Sequence, residues 1–233
     1  MSLAAPPPAL HCEGVELRIG YKPLLAGVSL RLEVGRSLAL VGPNGLGKTS
    51  LMRVLAGVAR PHAGMVSVQG ETLWPSRAVT REHFACYLAS VPALLSDHPV
   101  HGNLEFMLNA FGYNPTWRQL EDALTRVGLA GRGEQVARTL STGQKRRLTL
   151  ASLLVLRPRL VLADEPTNGL DSAGVALCLD VFRSLQREDG AAVCVASHDE
   201  RLVSACDESL ALAAFVPLIP PKGGARRLGN VFA

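Results

Sequence analysis

Long hydrophobic runs are missing from this 233-residue sequence, although 48% of its residues are hydrophobic. The longest apolar stretch, Leu210 to Pro221, is too short to cross a bilayer and contains Pro217, Pro220 and Pro221. If the work involves a membrane, another chain is expected to supply the crossing. Aromatic residues are scarce at 5%, and no long basic block interleaved with aromatics is present, so nucleic acid is not an expected partner. Charge of one sign is also lacking. Twenty-four Lys and Arg against 20 Asp and Glu leave a net charge of +4 and a pI near 9.0, a mild excess. Paired cysteines are absent too: Cys12, Cys86, Cys178, Cys194 and Cys206 are scattered, odd in number and without metal-ligand spacing. Reduced thiols in a cytosolic compartment are the expectation. The start, Met1 to Pro8, lacks a basic segment and is broken by prolines, so no signal peptide is expected. The length suits one large domain, or one domain with a smaller inserted lobe.

What is there begins with Gly42-Pro43-Asn44-Gly45-Leu46-Gly47-Lys48-Thr49-Ser50, which matches the P-loop pattern G-x-x-x-x-G-K-[ST]. Glycines let the backbone close around a phosphate chain with successive N–H groups pointing inward. The helix that follows adds its unpaired N–H groups and the positive end of its dipole. Lys48 is placed to reach the β- and γ-phosphates, and the Thr49 hydroxyl to ligate Mg²⁺. The context agrees. Arg36 to Val41 is a short apolar run suited to a buried parallel strand, and Leu51, Met52, Val54 and Leu55 lie on a helical period behind the loop.

The rest of the chain alternates accordingly. Residues 1–9 read as a flexible leader. Glu13–Ile19 and Leu24–Leu32 alternate like antiparallel strands around a Gly20-Tyr21 turn, and Met65–Val68 has the same period. After a strand at Ala85–Leu88 the pattern turns helical over Val100–Phe111 and Thr116–Val127, with Thr116 a candidate N-cap. Apolar strands are expected at Arg159–Ala163 and Ala192–Ala196, a helix from Ala173 to Glu188, a last strand from Ser209 to Phe215, and a loose tail from about Pro217.

The strand at Arg159–Ala163 runs into Asp164-Glu165. Asp164 there fits the second metal ligand, and Glu165 the group that polarises the attacking water. His198 follows another apolar strand, which in a parallel sheet puts it at the same edge as the P-loop. A solvated acid pair and a helix-capping histidine are the plainer alternatives.

These residues resemble the nucleotide-binding subunit of ABC transporters over about Leu10 to Leu212. Leu140-Ser141-Thr142-Gly143-Gln144 is similar to that family's LSxGQ signature, and Asp164-Glu165-Pro166-Thr167-Asn168-Gly169-Leu170-Asp171 to Walker B running into the D-loop. His198 resembles the switch histidine. The resemblance implies an α/β fold: a P-loop NTPase (ABC ATPase) core with a mixed sheet (10–90 and 157–216), an antiparallel β subdomain, and an inserted helical subdomain (91–156). It implies ATP and Mg²⁺ as cofactors, Lys48, Glu165 and His198 as catalytic residues, and Thr49 and Asp164 on the metal. Ser141, Gly143, Gln144 and Asp171 are then expected to complete the ATP site of a second copy in a head-to-tail dimer. An integral membrane transporter subunit would be the other partner, at the cytoplasmic face of the membrane.

Two positions depart from the family. Val91 stands where the hinge glutamine is usual, and a valine can neither ligate Mg²⁺ nor hold water. Ile19 stands where an aromatic usually lies against adenine; Tyr21, two residues on, either substitutes for it or is an ordinary turn tyrosine. Gly47 to Gly57, with Ala59-Arg-Pro-His-Ala-Gly64, resembles the haem-exporter (cytochrome c biogenesis) ATP-binding subunit. The main expectation is an ATPase that powers an exporter. The alternative is an ATP-dependent regulatory clamp with slow turnover, which Val91 favours and the intact Glu165 and His198 oppose.

Overall fold

The computed structural model describes residues 6–74 and 85–217. β1 (Leu10–Ile19) and β2 (Lys22–Leu32) form an antiparallel hairpin whose turn uses Gly20 at φ 57°. β3 (Ser37–Val41) leads through the Gly-rich loop into α1 (Lys48–Leu55). β4 (Ala63–Val68) pairs with β1, and β5 (Glu71–Trp74) returns along β4. β5 went unpredicted because its turn, Gln69-Gly70, takes left-handed φ values of 51° and 84° with glutamine where asparagine is the usual signal.

β6 (Ala85–Leu88) precedes a helical stretch: α2 (Val100–Asn109), α3 (Trp117–Arg126) and α4 (Thr142–Leu156). Thr116 caps α3 as expected. Its hydroxyl accepts from the Gln119 amide at 3.3 Å while Gln119 Oε1 accepts from the Thr116 amide at 2.8 Å, a reciprocal capping box. β7 (Leu160–Asp164), α5 (Ser172–Asp189), β8 (Ala192–Ala196), the short α6 (Glu200–Ser204) and β9 (Glu208–Ala211) complete the chain.

Parallel and antiparallel pairing are divided between two sheets. One is antiparallel in the order β2-β1-β4-β5; the other is parallel in the order β6-β7-β8-β3-β9. Alternation along the parallel strands sends their side chains into two cores. Ala39, Val161, Ala163, Val193 and Val195 pack with α2 to α5. Leu38, Leu40, Leu160, Leu162 and Cys194 pack on the other face with α1 and the antiparallel sheet. The helical stretch therefore has no separate core of its own; Leu104, Leu124 and Leu148 are continuous with the sheet.

The last strand is shorter than expected. Pairing with β3 ends at Val41↔Ala211, where β3 gives way to the loop, and Leu212–Phe215 coils into a 3₁₀ turn that buries Leu212. At the other end, Ala9 is buried and its carbonyl accepts from the Gln69 amide at 3.1 Å, so the expected leader is fixed at its last residue. Residues 1–5 of that leader and 218–233 of the expected tail lie outside the described residues.

Candidate active site

Because β7, β8 and β3 are neighbours running the same way, their carboxyl ends line up. Ligand sites of open parallel sheets form at that edge. The loop after β3 needs its glycines: Gly42, Gly45 and Gly47 take φ of 156°, 79° and 104°. A Cβ on Gly47 would stand 2.7 Å from Leu24 Cδ2, and one on Gly42 would stand 2.6 Å from Leu46 Cδ2. Pro43, Asn44 and Gly45 are exposed, whereas Thr49 and Ser50 are half-buried in the first turn of α1.

Lys48 is buried. Its ammonium donates to the Gly42 carbonyl at 2.7 Å and the Pro43 carbonyl at 3.3 Å, and lies 4.0 Å from Glu165 Oε1. Glu165 Oε2 lies 2.9 Å from His198 Nδ1 and accepts from the Ser197 hydroxyl at 3.4 Å. The glutamate backbone is unusual, at φ 47°, a left-handed conformation that costs a non-glycine residue about 1–2 kcal/mol. Its amide is fixed to the Ala196 carbonyl at 2.8 Å, so β8 holds the strained residue in place. The three residues expected to be catalytic, Lys48, Glu165 and His198, are thus brought together. Ser197, whose hydroxyl also accepts from the Asp199 amide at 3.1 Å, joins them; a lone serine gave no sequence signal.

Asp164 is fully buried, and neither carboxylate oxygen has a hydrogen-bond partner among the described residues. A buried, unpartnered carboxylate is costly unless a cation compensates it. Its donors, with the Thr49 hydroxyl, are the hard oxygens that Mg²⁺ prefers. The residues present fit that ion.

The signature residues stand apart, and no hydrogen bond or ion pair among the described residues joins them to the loop after β3. Ser141 is the N-cap of α4: its hydroxyl accepts from the Gln144 amide at 3.2 Å, and Gln144 Oε1 accepts from the Ser141 amide at 2.9 Å. Both side chains expected at a phosphate are therefore engaged in capping within this chain. Asp171 likewise caps α5, accepting from the Gly174 amide at 2.7 Å and from Arg147 at 3.0 Å. The Gly174 amide first, and then Arg147, hold its carboxyl below the usual carboxylate range.

Sequence reasoning missed how closely these two segments touch. A Cβ on Gly143 would stand 2.7 Å from the Gly169 carbonyl oxygen, and Gly169 itself takes φ 77°. Only glycine admits that approach. Gly143→Ala would gain up to about 1 kcal/mol of helix propensity. The backbone clash outweighs this, and a net loss of about 1–3 kcal/mol is expected. Thermal unfolding of the variant checks it; an unchanged or raised midpoint would show that the contact is slack.

Tyr21 and Ile19 are exposed at the hairpin tip, Tyr21 completely so. Leu24, three residues on, touches Gly47, so the tip stands beside the phosphate loop. Val91 is 76% exposed, which excludes a role in the core.

A Gly-rich loop, an acid pair and a histidine at the carboxyl edge of a parallel sheet define a P-loop nucleotide hydrolase. The ABC transporter family profile matches residues 25–168. The cytochrome c biogenesis ATP-binding export protein CcmA of Rhodobacter capsulatus is 38% identical over 89% of this chain and 88% of its own. The lipoprotein-releasing system ATP-binding protein LolD 1 of Caulobacter vibrioides is 35% identical over 81% and 84%. A dimeric post-hydrolysis ATP-binding cassette bound to ADP and phosphate superposes with a TM-score of 0.76 at 22% identity, covering 87% of this chain and 94% of that one. The chain belongs to the ABC transporter family, as one of its nucleotide-binding ATPase subunits.

Proposed function

We propose that this chain hydrolyses ATP with Mg²⁺ to drive a membrane exporter, as one half of a head-to-tail dimer at the cytoplasmic membrane face. The observation that carries the reading is the convergence of Lys48, Glu165 and His198 beside the unpartnered, buried carboxylate of Asp164. Inward N–H groups of residues 44–49 and the Lys48 ammonium bind and neutralise the β- and γ-phosphates. Thr49 and Asp164 would hold Mg²⁺, which would supply positive charge against the developing charge of the phosphates. Glu165 orients the attacking water and accepts its proton at a carboxylate oxygen, while His198 keeps that carboxylate in place. Tyr21 is open to stack on adenine.

The signature segment lies in the helical stretch and makes no hydrogen bond or ion pair with Lys48 among the described residues, so Ser141, Gly143 and Gln144 are assigned to the partner copy's γ-phosphate. Packing of Gly143 on Gly169 then carries the state of one site to Asp171 and the other.

The membrane subunit is assigned to an apolar groove of about 210 Å³ between the segment after β6 and α2, lined by Leu88, Pro92, Ala93, Phe106 and Met107. Phe106 is 57% exposed in that groove, a large apolar surface for a chain with so few aromatics. Export is the direction named for the Rhodobacter capsulatus relative. The cargo meets the membrane subunit and is identified through it.

A tagged chain drawn from gently solubilised membranes of its own source is expected to bring down a multispanning protein in stoichiometric amount. Phe106→Asp should abolish that recovery while sparing ATP binding. Self-association on ATP with no membrane partner would overturn the transporter reading in favour of a regulatory clamp, which Val91 independently favours.

A further inference from the structure

Arg146, two residues beyond the signature glutamine, is 1% exposed and lies on α4, whose other buried residues are Leu148, Leu150, Ala151 and Leu153 with the small polar Thr149 and Ser152. A buried guanidinium is a costly way to fill space, since leucine or methionine would fill it without desolvation. Its placement gives the reason. Nη1 donates to the Ala89 carbonyl at 2.8 Å and Nη2 to the Ser90 carbonyl, while Nε has no partner among the described residues. These are successive carbonyls of the segment leaving β6, beyond the last ladder pair, Leu88↔Ala163. One fork thus satisfies two acceptors that no strand reaches.

That segment matters because of where it lies. Continued in register, Ala89 runs beside Asp164, and Val91 follows two residues on with its side chain in solvent. Burial depresses the Arg146 guanidinium below the usual arginine range, and Cys178, Asp164 and Glu165 oppose that effect. The same cation therefore feels the site acids and grips the backbone next to them. On α4 it is one residue before Arg147, the partner of Asp171.

We propose that Arg146 is a positioning residue that locks the 89–91 segment to the signature helix, so that movement of α4 on closure is delivered through the backbone beside Asp164. The Val91 side chain cannot transmit it, lacking any hydrogen-bonding atom. This rests on the reading of ATP-driven closure given above.

The test uses the full chain with Arg146→Lys, which retains the charge but loses the fork, and Arg146→Met, which fills the space without charge. ATPase kinetics are expected to show kcat lowered about tenfold or more in Arg146→Lys, with KM within about twofold. Hydrogen exchange of the amides of Ala89, Ser90, Val91 and Ala93 should rise about tenfold, and a nonhydrolysable ATP analogue should no longer change it. Wild-type kcat in a folded Arg146→Lys chain, or an unaltered exchange response to nucleotide, would overturn the proposal. Equal losses of affinity and turnover would also overturn it, leaving Arg146 a merely structural residue. If Arg146→Met does not fold, Arg146→Lys decides. If the wild-type chain hydrolyses no ATP, the function proposed above falls, and the exchange response alone settles the role of Arg146.

Discussion

Glu165→Gln is expected to lower ATP turnover by about 10²–10⁴-fold, the range supplied by a positioned general base. The substitution keeps shape and volume, so nucleotide binding and folding should survive. Its amide oxygen can still face Lys48 or Ser197, but it accepts no proton from water at neutral pH. Replacing the carboxylate also removes the negative charge that lies 2.9 Å from His198 Nδ1 and 4.0 Å from Lys48. With hydrolysis blocked and binding intact, the closed two-copy state should accumulate. Size-exclusion chromatography with ATP and Mg²⁺ should then show a dimer that the wild type populates only transiently. Turnover at the wild-type rate would remove Glu165 from the role of essential base. Loss of turnover without dimer accumulation would instead separate the chemistry from the closure cycle.

Asp164→Asn is expected to have an effect of similar size on turnover and the opposite effect on the nucleotide-free fold. The wild-type carboxylate is fully buried and makes no hydrogen bond among the described residues. A buried carboxylate with no hydrogen-bond donor destabilises the folded chain, so removing its charge should raise the thermal midpoint without nucleotide. Each 1 kcal/mol gained corresponds to about 2–4 °C for a chain of this size. With ATP and Mg²⁺ the order should reverse. The wild type gains stability by linkage, about 2.7 kcal/mol at a ligand concentration 100 times Kd, and the variant loses the magnesium-dependent share. Calorimetry with nucleotide, with and without Mg²⁺, reads both arms. A variant with the magnesium dependence and turnover of the wild type would show that Asp164 is not the metal ligand.

The two substitutions probe adjacent residues whose environments differ sharply. Asp164 ends a strand buried on both faces and has no hydrogen-bond partner among the described residues, whereas Glu165 has turned into a left-handed conformation that brings it to Lys48, Ser197 and His198. Adjacent acids acquire different tasks because the chain bends between them.

Much of this site was legible in the sequence because its rules are local. Spacing within Gly42–Ser50 dictates a loop with inward amides whatever lies around it. Thr116 with Gln119 sets a helix start by contacts three residues apart, as Ser141 with Gln144 also does. The apolar runs before Gly42, Asp164 and Ser197 already specify buried parallel strands, and with them a shared carboxyl edge. Tertiary structure alone decided the order β6-β7-β8-β3-β9, the extra strand β5 and the early end of β9, since each depends on which strand offers unpaired backbone groups. It also decided that Arg147 meets Asp171, that Gly143 admits the Gly169 carbonyl, and that Arg146 is buried although it sits in a basic triplet with the look of solvated surface. The acceptors of Arg146 lie 56 and 57 residues away along the chain. A charge is placed by the groups that can compensate it, and those are brought within reach only when the sheet and helices pack.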